Sequence, residues 1–148
     1  MAIKHLYGDK TLRMKINTKV RYGMRAMIFI AQSEKSEGVL QREIADNQNI
    51  SVKYLDSIIA SLKAKGLIAN VRGKGNGYRL TRPPEEITAL DIYNAFEPVS
   101  LCDCIDNAFF CDRSANCCTR HFWAELNTHM TSFLAGKNLA QIMNKQKG

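Results

Sequence analysis

A change of period marks residues 66–80, whose sequence is GLIANVRGKGNGYRL. Residues 67–72 have the composition of a β-strand, and residues 78–80 resume an extended pattern. Between them, Gly-Lys-Gly-Asn-Gly at residues 73–77 has the composition of a tight turn. The segment therefore predicts a two-stranded β-hairpin with a basic, glycine-rich tip.

Three amphipathic helices are predicted before this hairpin. Apolar residues recur every three or four positions from Thr18 to about Gln32, which predicts a helix that Thr18 caps. After a polar connection at residues 33–38, a second, shorter helix is expected around residues 40–45. Ser51 is placed to cap the third helix. Helix, helix, turn, helix and hairpin is the order of a winged helix-turn-helix, in which the helix after the turn enters the major groove of DNA.

The distribution of charge supports a polyanionic partner. Residues 14–82 carry 13 basic and 5 acidic side chains, whereas residues 83–148 carry 5 basic and 8 acidic ones. Residues 14–82 thus carry a net charge of +8 and residues 83–148 one of −3, so the positive charge of the chain belongs mainly to the predicted winged-helix half. Such a concentration of positive charge is typical of proteins that neutralise nucleic-acid phosphates.

The second half of the chain predicts a different architecture. A short helix from Thr88 to about Phe96 leads into a cysteine-containing loop. A long apolar stripe then runs from Thr119 to Ala135 and a last short helix spans residues 139–143. The long helix carries more apolar surface than a small domain can cover, so we expect a homodimer built across it.

The expected fold is mainly α. Its expected parts are an N-terminal extension (1–13), a winged helix-turn-helix domain (14–84), a connecting helix (85–98), a cysteine loop (99–118) and a dimerisation helix with its tail (119–148).

The predicted DNA-reading surface has two parts. The N-terminal end of the third helix is the end that contacts base edges in helix-turn-helix proteins, and basic side chains on a glycine-rich wing suit the minor groove or its flanking phosphates. The candidate residues are Ser51, Lys53, Tyr54 and Asp56 on the helix, and Arg72, Lys74 and Arg79 on the wing.

All five cysteines lie within seventeen residues, from Cys102 to Cys118. The chain lacks a run of roughly 18 apolar residues that could span a membrane, and residues 1–13 lack a secretory signal, so we expect a cytoplasmic protein. In a reducing compartment a dense cysteine group favours metal binding or redox chemistry, and an odd count argues against a structural disulfide set.

The residues quoted above carry a specific resemblance. Residues 14–27 (MKINTKVRYGMRAM), residues 50–55 (ISVKYL) and above all residues 66–80 resemble the IscR/NsrR/CymR family of bacterial winged-helix regulators, and the similarity extends to about Asn144. The resemblance implies a homodimer that binds a roughly palindromic promoter element. Met14 also resembles the residue at which members of this family usually start.

The cysteine loop resembles the branch of this family that binds an iron-sulfur cluster. That branch carries three cysteines before the dimerisation helix, and Cys104, Cys111 and Cys117 match them, although the first gap is one residue longer. The resemblance implies an iron-sulfur cluster, with 2Fe-2S favoured over 4Fe-4S. Thiolates are the soft ligands that such clusters require. Cys102 and Cys118 are additional, so either can replace a neighbour in the triplet.

The fourth ligand is open in sequence. In one branch a histidine follows the third cysteine by three positions, but Arg120 stands there and His121 lies one residue further on. In another branch an aspartate of the partner's first helix serves, but the matching residue is Arg21. We favour His121, with an extra cysteine, His5 or Asp9 as the alternatives.

The hypothesis is that assembly, oxidation or loss of the cluster reshapes the loop and so changes the spacing of the two recognition helices, which must lie about 34 Å apart or a multiple of it. A zinc-bound or thiol-switch regulator of the same fold is the alternative. An enzyme is not expected, because the sequence contains no Cys-x-x-Cys motif, no nucleotide-binding fingerprint and only three histidines.

Overall fold

The computed structural model describes residues 16–73 and 76–144. Residues 1–13, with His5 and Asp9, and also Lys74 lie outside the described part, so the predictions made for them are not addressed by it. The described residues form a mainly helical fold with one antiparallel β-hairpin. Its elements are α1 (Thr18–Ala31), α2 (Gln41–Gln48), α3 (Val52–Ala64), β1 (Ile68–Asn70), β2 (Tyr78–Leu80), α4 (Ala89–Tyr93), α5 (Asp103–Asp106), α6 (Cys118–Ala135) and α7 (Leu139–Asn144), with single 3-10 turns at Pro84–Glu86 and Ser114–Asn116.

The first three helices pack around one apolar core, as their periodicity predicts. Met27 of α1, Ile44 of α2 and Leu55 of α3 are each fully buried in it. The prediction that Thr18 caps α1 is wrong by one residue. The cap is Asn17, whose side-chain oxygen accepts a hydrogen bond from the Lys19 amide at 2.8 Å.

The turn between α2 and α3 is closed by two local features. Asn49 adopts the left-handed conformation, with φ of 54°, and ends α2. Ser51 then begins α3 as predicted, because its Oγ accepts a hydrogen bond from the Tyr54 amide at 3.1 Å. These features fix the direction in which α3 leaves the core.

The wing is paired more extensively than the sequence indicated. β1 and β2 are antiparallel, with Asn70 opposite Tyr78. Val39, directly after the expected connection at residues 33–38, forms a β-bridge with Tyr78, with N–O distances of 2.9 and 2.8 Å. This approach requires a residue without a side chain at Gly77, because a Cβ there would overlap the Glu37 carbonyl oxygen. The base of the wing is therefore attached to the segment before α2.

The chain returns to the same core at its C-terminal end. Thr88 caps α4 as predicted, in a reciprocal arrangement with Asp91. The helix ends at Tyr93, earlier than the predicted Phe96. α7 follows the predicted position, and Leu139 is fully buried while its amide donates to the Ile87 carbonyl at 2.8 Å.

The long helix α6 is present as predicted but is poorly covered. It contains 18 residues and none of its side chains is buried. Phe122 and Phe133 are 58% and 65% exposed. None of the helices in the described ranges is long and apolar enough to cross a lipid bilayer.

Candidate functional site

The first turn of α3 presents a polar, basic surface. Ser51 and Lys53 are exposed there, the first turn itself contains no acidic residue, and Asp56 is exposed directly after it. The amide groups of a helix N-terminus carry partial positive charge, which favours contact with phosphate. The structure thus places three of the four predicted recognition residues on the accessible face of α3.

The fourth, Tyr54, is half-buried and packs toward α1. Its ring meets Tyr22 edge to face, with centroids 5.9 Å apart, and the Arg25 guanidinium lies 5.2 Å from the Tyr22 ring centre. Aromatic and cation–π pairs of this kind stabilise a fixed ring orientation. Tyr54 therefore links α3 to α1, and only part of its side chain remains exposed on α3.

A hydrogen-bonded chain links α3 to α2 and to the wing. The Gln41 side-chain amide donates to the Asp56 carboxylate, and the Tyr78 hydroxyl donates to Gln41 Oε1 at 3.3 Å. Sequence reasoning missed Gln41 and Tyr78 as members of this surface. The position of Gln41 at the start of the helix before the turn was the available signal.

Basic side chains flank this chain on the wing side. Arg72 and Arg79 are exposed, while the Lys63 ammonium donates to the Asn70 side chain at 2.7 Å and so joins the end of α3 to β1. Gly73 lies at the tip with φ of +116°, a conformation that favours glycine. The contact between Lys63 and Asn70 therefore fixes the position of β1 relative to the end of α3.

The structure divides the predicted metal ligands. Cys111 and His121 are exposed, and the Cys117 sulfur contacts the Thr119 hydroxyl at 3.1 Å. The sulfur atoms that come together are those of Cys102 and Cys104, 3.5 Å apart. Across residues 16–73 and 76–144, no three Cys, His, Asp or Glu side chains are arranged to hold a metal ion.

The donor chemistry of the loop nevertheless fits an iron-sulfur cluster. All five cysteines are free thiols, and each is exposed or half-buried. Soft sulfur donors on an accessible loop are what such a cluster requires. A loop that binds one must bring together thiols that are separate in this structure.

Arg120 holds this loop against α6. Its Nε donates to the Cys104 carbonyl at 2.7 Å and its terminal nitrogen to the Ile105 carbonyl at 3.4 Å. Arg120 stands where one branch of the resembled family has a histidine ligand. Here it contacts the loop backbone, a role that its charge and length permit and that the sequence did not reveal.

Two cysteines have shifted acidities of opposite sign. A hydrogen bond from the Thr119 hydroxyl lowers the pKa of the Cys117 thiol. Partial desolvation, followed by the neighbouring Cys104 thiol, raises the pKa of Cys102. The thiolate form is therefore more accessible at Cys117 than at Cys102.

An apolar groove separates α1 from α6. It has a volume of about 530 Å³, and its wall is almost entirely nonpolar. Arg21, which occupies the aspartate position of the other family branch, lies at its edge with Arg25. The apolar lining consists of Ile16, Val20, Met24, Ile28, Met130, Phe133 and Leu134, together with the ring of Tyr93.

Comparison with known proteins identifies relatives across nearly the whole chain. Residues 16–145 match the family profile described as Rrf2, iron-dependent transcriptional regulator. The HTH-type transcriptional regulator IscR of Aliivibrio salmonicida is 34% identical over 131 residues, which cover 88% of this chain and 77% of that protein. The solved structure of T. potens IscR has a TM-score of 0.73 at 29% identity, covering 90% of this chain and 88% of the other. CymR of B. subtilis, described as the global cysteine regulator, gives 0.72 at 28% identity, covering 90% and 98%.

Proposed function

The chain belongs to the Rrf2 family of transcriptional regulators, and from this premise we propose a dimeric regulator whose promoter affinity is controlled by an iron-sulfur cluster in the cysteine loop. Its relatives are DNA-binding regulators, and the protein is a transcriptional regulator rather than an enzyme. Three parts of the proposal go further: the DNA-contacting residues, the dimer and the cluster.

The contact with DNA is supported by the chain of hydrogen bonds from Asp56 through Gln41 to Tyr78. Because these hydrogen bonds join α3, α2 and the wing, they fix the relative positions of the three elements on the surface proposed to face DNA. In the proposed complex, α3 enters the major groove and the wing follows the adjacent minor groove. The contacting residues are Ser51, Lys53, Tyr54 and Asp56 on the helix side and Arg72, Lys74 and Arg79 on the wing.

Salt dependence tests this interface directly. A duplex selected from a random-sequence pool serves as the ligand, and affinity is measured by fluorescence anisotropy at several salt concentrations. Lys53→Ala and Arg72→Ala are each expected to weaken binding by about 1–3 kcal/mol and to reduce the salt slope by about one. Arg113→Ala, an exposed arginine in the cysteine loop, is the control and should change neither quantity. Equal effects from all three variants would refute the assigned surface.

The proposed dimer places α6 of one protomer against the groove of its partner. An 18-residue helix without a buried side chain leaves apolar surface in water, and the adjacent groove is lined almost wholly by apolar residues. A second copy of the chain offers a helix and groove of the same composition, so a two-fold contact can cover both. Sedimentation velocity at micromolar concentration should show a dimer, and a monomer would contradict the proposal.

The proposed cluster ligands are Cys104, Cys111 and Cys117, with His121 as the fourth. The family description as an iron-dependent regulator and the likeness to IscR support an iron centre in general, and the choice of residues rests on the match of the three cysteines to the family pattern. When bound, the cluster supplies a redox-active iron centre whose state responds to oxidants and to cluster supply. Arg120 hydrogen-bonds the loop carbonyls to α6. A change in the conformation of the loop would therefore be transmitted to the proposed dimer helix.

Anaerobic purification with iron and sulfide analysis tests the cluster. The wild type should be coloured and contain iron and acid-labile sulfide. Cys111→Ser should lose both, whereas Cys118→Ser, an equally exposed cysteine outside the proposed set, should retain them. A colourless protein that contains zinc would contradict the cluster proposal and support the zinc-bound alternative. Equal promoter affinity of the loaded and metal-free forms would refute control by the cluster.

A further inference from the structure

Within the described residues, the one sulfur–sulfur contact joins Cys102 to Cys104. Cys102 is not among the proposed cluster ligands, so the contact is unexplained by that role. From this contact we infer a second function for the loop, in which Cys102 and Cys104 form a reversible intrachain disulfide when the loop is free of metal and meets a hydroperoxide.

The geometry brings the two thiols close before any reaction. Their sulfur atoms are 3.5 Å apart, and a disulfide bond requires about 2.05 Å, so a shift of roughly 1.5 Å is sufficient. Both residues are half-buried, whereas Cys111 and Cys118 are exposed. The pair is thus partly shielded from solvent.

The backbone on both sides of the pair is held in place. The Cys102 carbonyl accepts from the Ile105 amide at 3.1 Å, and the Cys104 carbonyl accepts from Arg120 at 2.7 Å. Fixing the backbone around two reacting groups reduces the entropy that they lose when they combine. The Cys117 sulfur, by contrast, meets the Thr119 hydroxyl at 3.1 Å and not another thiol.

The chemistry balances with a hydroperoxide as oxidant. One thiol attacks the peroxide, its S–O bond forms as the O–O bond breaks, and the alcohol or water leaves. The second thiol then attacks the resulting sulfenic acid, the S–S bond forms as the S–O bond breaks, and water leaves. The two thiols lose two electrons, the peroxide gains them, and a cellular dithiol reverses the change.

The disulfide would compete with the cluster, and this consequence rests on the proposed function. Cys104 is a proposed cluster ligand, and a sulfur in a disulfide is not a thiolate donor. The oxidised loop should therefore be unable to bind a cluster until a dithiol reduces the disulfide. Disulfide formation itself needs no cluster, so it can be measured independently.

The test uses the full-length chain after metal removal by a chelator. Hydrogen peroxide is added and free thiols are counted by differential alkylation and mass spectrometry. The wild type should fall from five free thiols to three, with a mass loss of two hydrogens and with Cys102 and Cys104 protected. Dithiothreitol should restore all five.

Two serine variants provide the matched comparison. Cys118→Ser should still lose two thiols at the wild-type rate, whereas Cys102→Ser should form no such pair. Loss of two thiols in Cys102→Ser at the wild-type rate, protection of a different pair, or an unreacted wild type would each overturn the inference. If the disulfide forms but anaerobic wild type never holds iron, the disulfide stands and the cluster proposal fails.

Discussion

The winged helix-turn-helix and the α6 region differ in how completely each is buried within one chain. Each of α1, α2 and α3 contributes fully buried side chains to a single core. α6 is longer than any of them and contributes none. The core of the DNA-binding half is therefore formed within one chain, whereas α6 leaves apolar side chains such as Phe122 and Phe133 exposed.

The two regions also differ in what holds them together. Leu55 and its neighbours are held by burial in an apolar core cluster that contains no cysteine. The cysteine loop is held largely by polar contacts, among them Arg120 with the Cys104 carbonyl and Asn127 with the Val99 carbonyl at 3.2 Å. Segments with few buried apolar contacts open at low cost in free energy. A chemical change at the loop cysteines can therefore alter loop and α6 while leaving the DNA-binding core intact.

The largest effect is expected in the core of the DNA-binding half. Leu55→Ala removes a fully buried side chain and should lower the free energy of unfolding by about 2–5 kcal/mol. Urea denaturation followed by circular dichroism measures this change. Val52→Ala on the same helix is the control, because Val52 is 46% exposed and its truncation should cost far less. Similar losses for both variants would contradict the described core.

A smaller and concentration-dependent effect is expected at α6. Phe133→Ala should weaken dimerisation by about thirtyfold, since a central aromatic anchor contributes about 2 kcal/mol to an interface. Sedimentation equilibrium measures the dimer constant. Phe109→Ala is the matched control, because Phe109 is 97% exposed and lies outside the groove lining. If Phe109→Ala weakened the dimer as much as Phe133→Ala, the loop and not the groove would form the contact.

Much of the first region could be predicted from the sequence, and less of the second. The spacing of apolar residues in α1 and α3, together with Ser51, is a local property, and the structure confirms it. The bridge from Val39 to Tyr78 is not local, because it joins positions that are 39 residues apart. Neither the helical periodicity nor the hairpin pattern connects them. The contact of Arg120 with the Cys104 carbonyl is likewise not local, because sixteen positions separate the two residues. The sequence indicated that the loop thiols are the reactive groups, but it did not indicate which of these thiols lie in contact.

The attachment of the wing can be broken with a pair of glycine substitutions. Gly77→Ala should lower DNA affinity by about tenfold, or 1.4 kcal/mol, because its Cβ would overlap the Glu37 carbonyl and displace β2 from Val39. Gly73→Ala strains a residue with φ of +116° but meets no atom within 4 Å, so its effect should be smaller. Anisotropy with the selected duplex compares them. A larger loss for Gly73→Ala would show that tip conformation, rather than attachment, limits binding.

The smallest effect concerns the acidity of one loop thiol. The Thr119 hydroxyl donates to the Cys117 thiolate and lowers its pKa, so Thr119→Val should raise that pKa. At a pH below the pKa the thiolate fraction then falls, and alkylation of Cys117 by iodoacetamide in the metal-free chain should slow by less than about tenfold, as expected for a single exposed hydrogen bond. The pH profile of the rate should move toward higher pH, while Thr119→Ser, which keeps the hydroxyl, should follow the wild type. Identical profiles for all three proteins would mean that the backbone amides at the start of α6, rather than this hydroxyl, lower the pKa of Cys117.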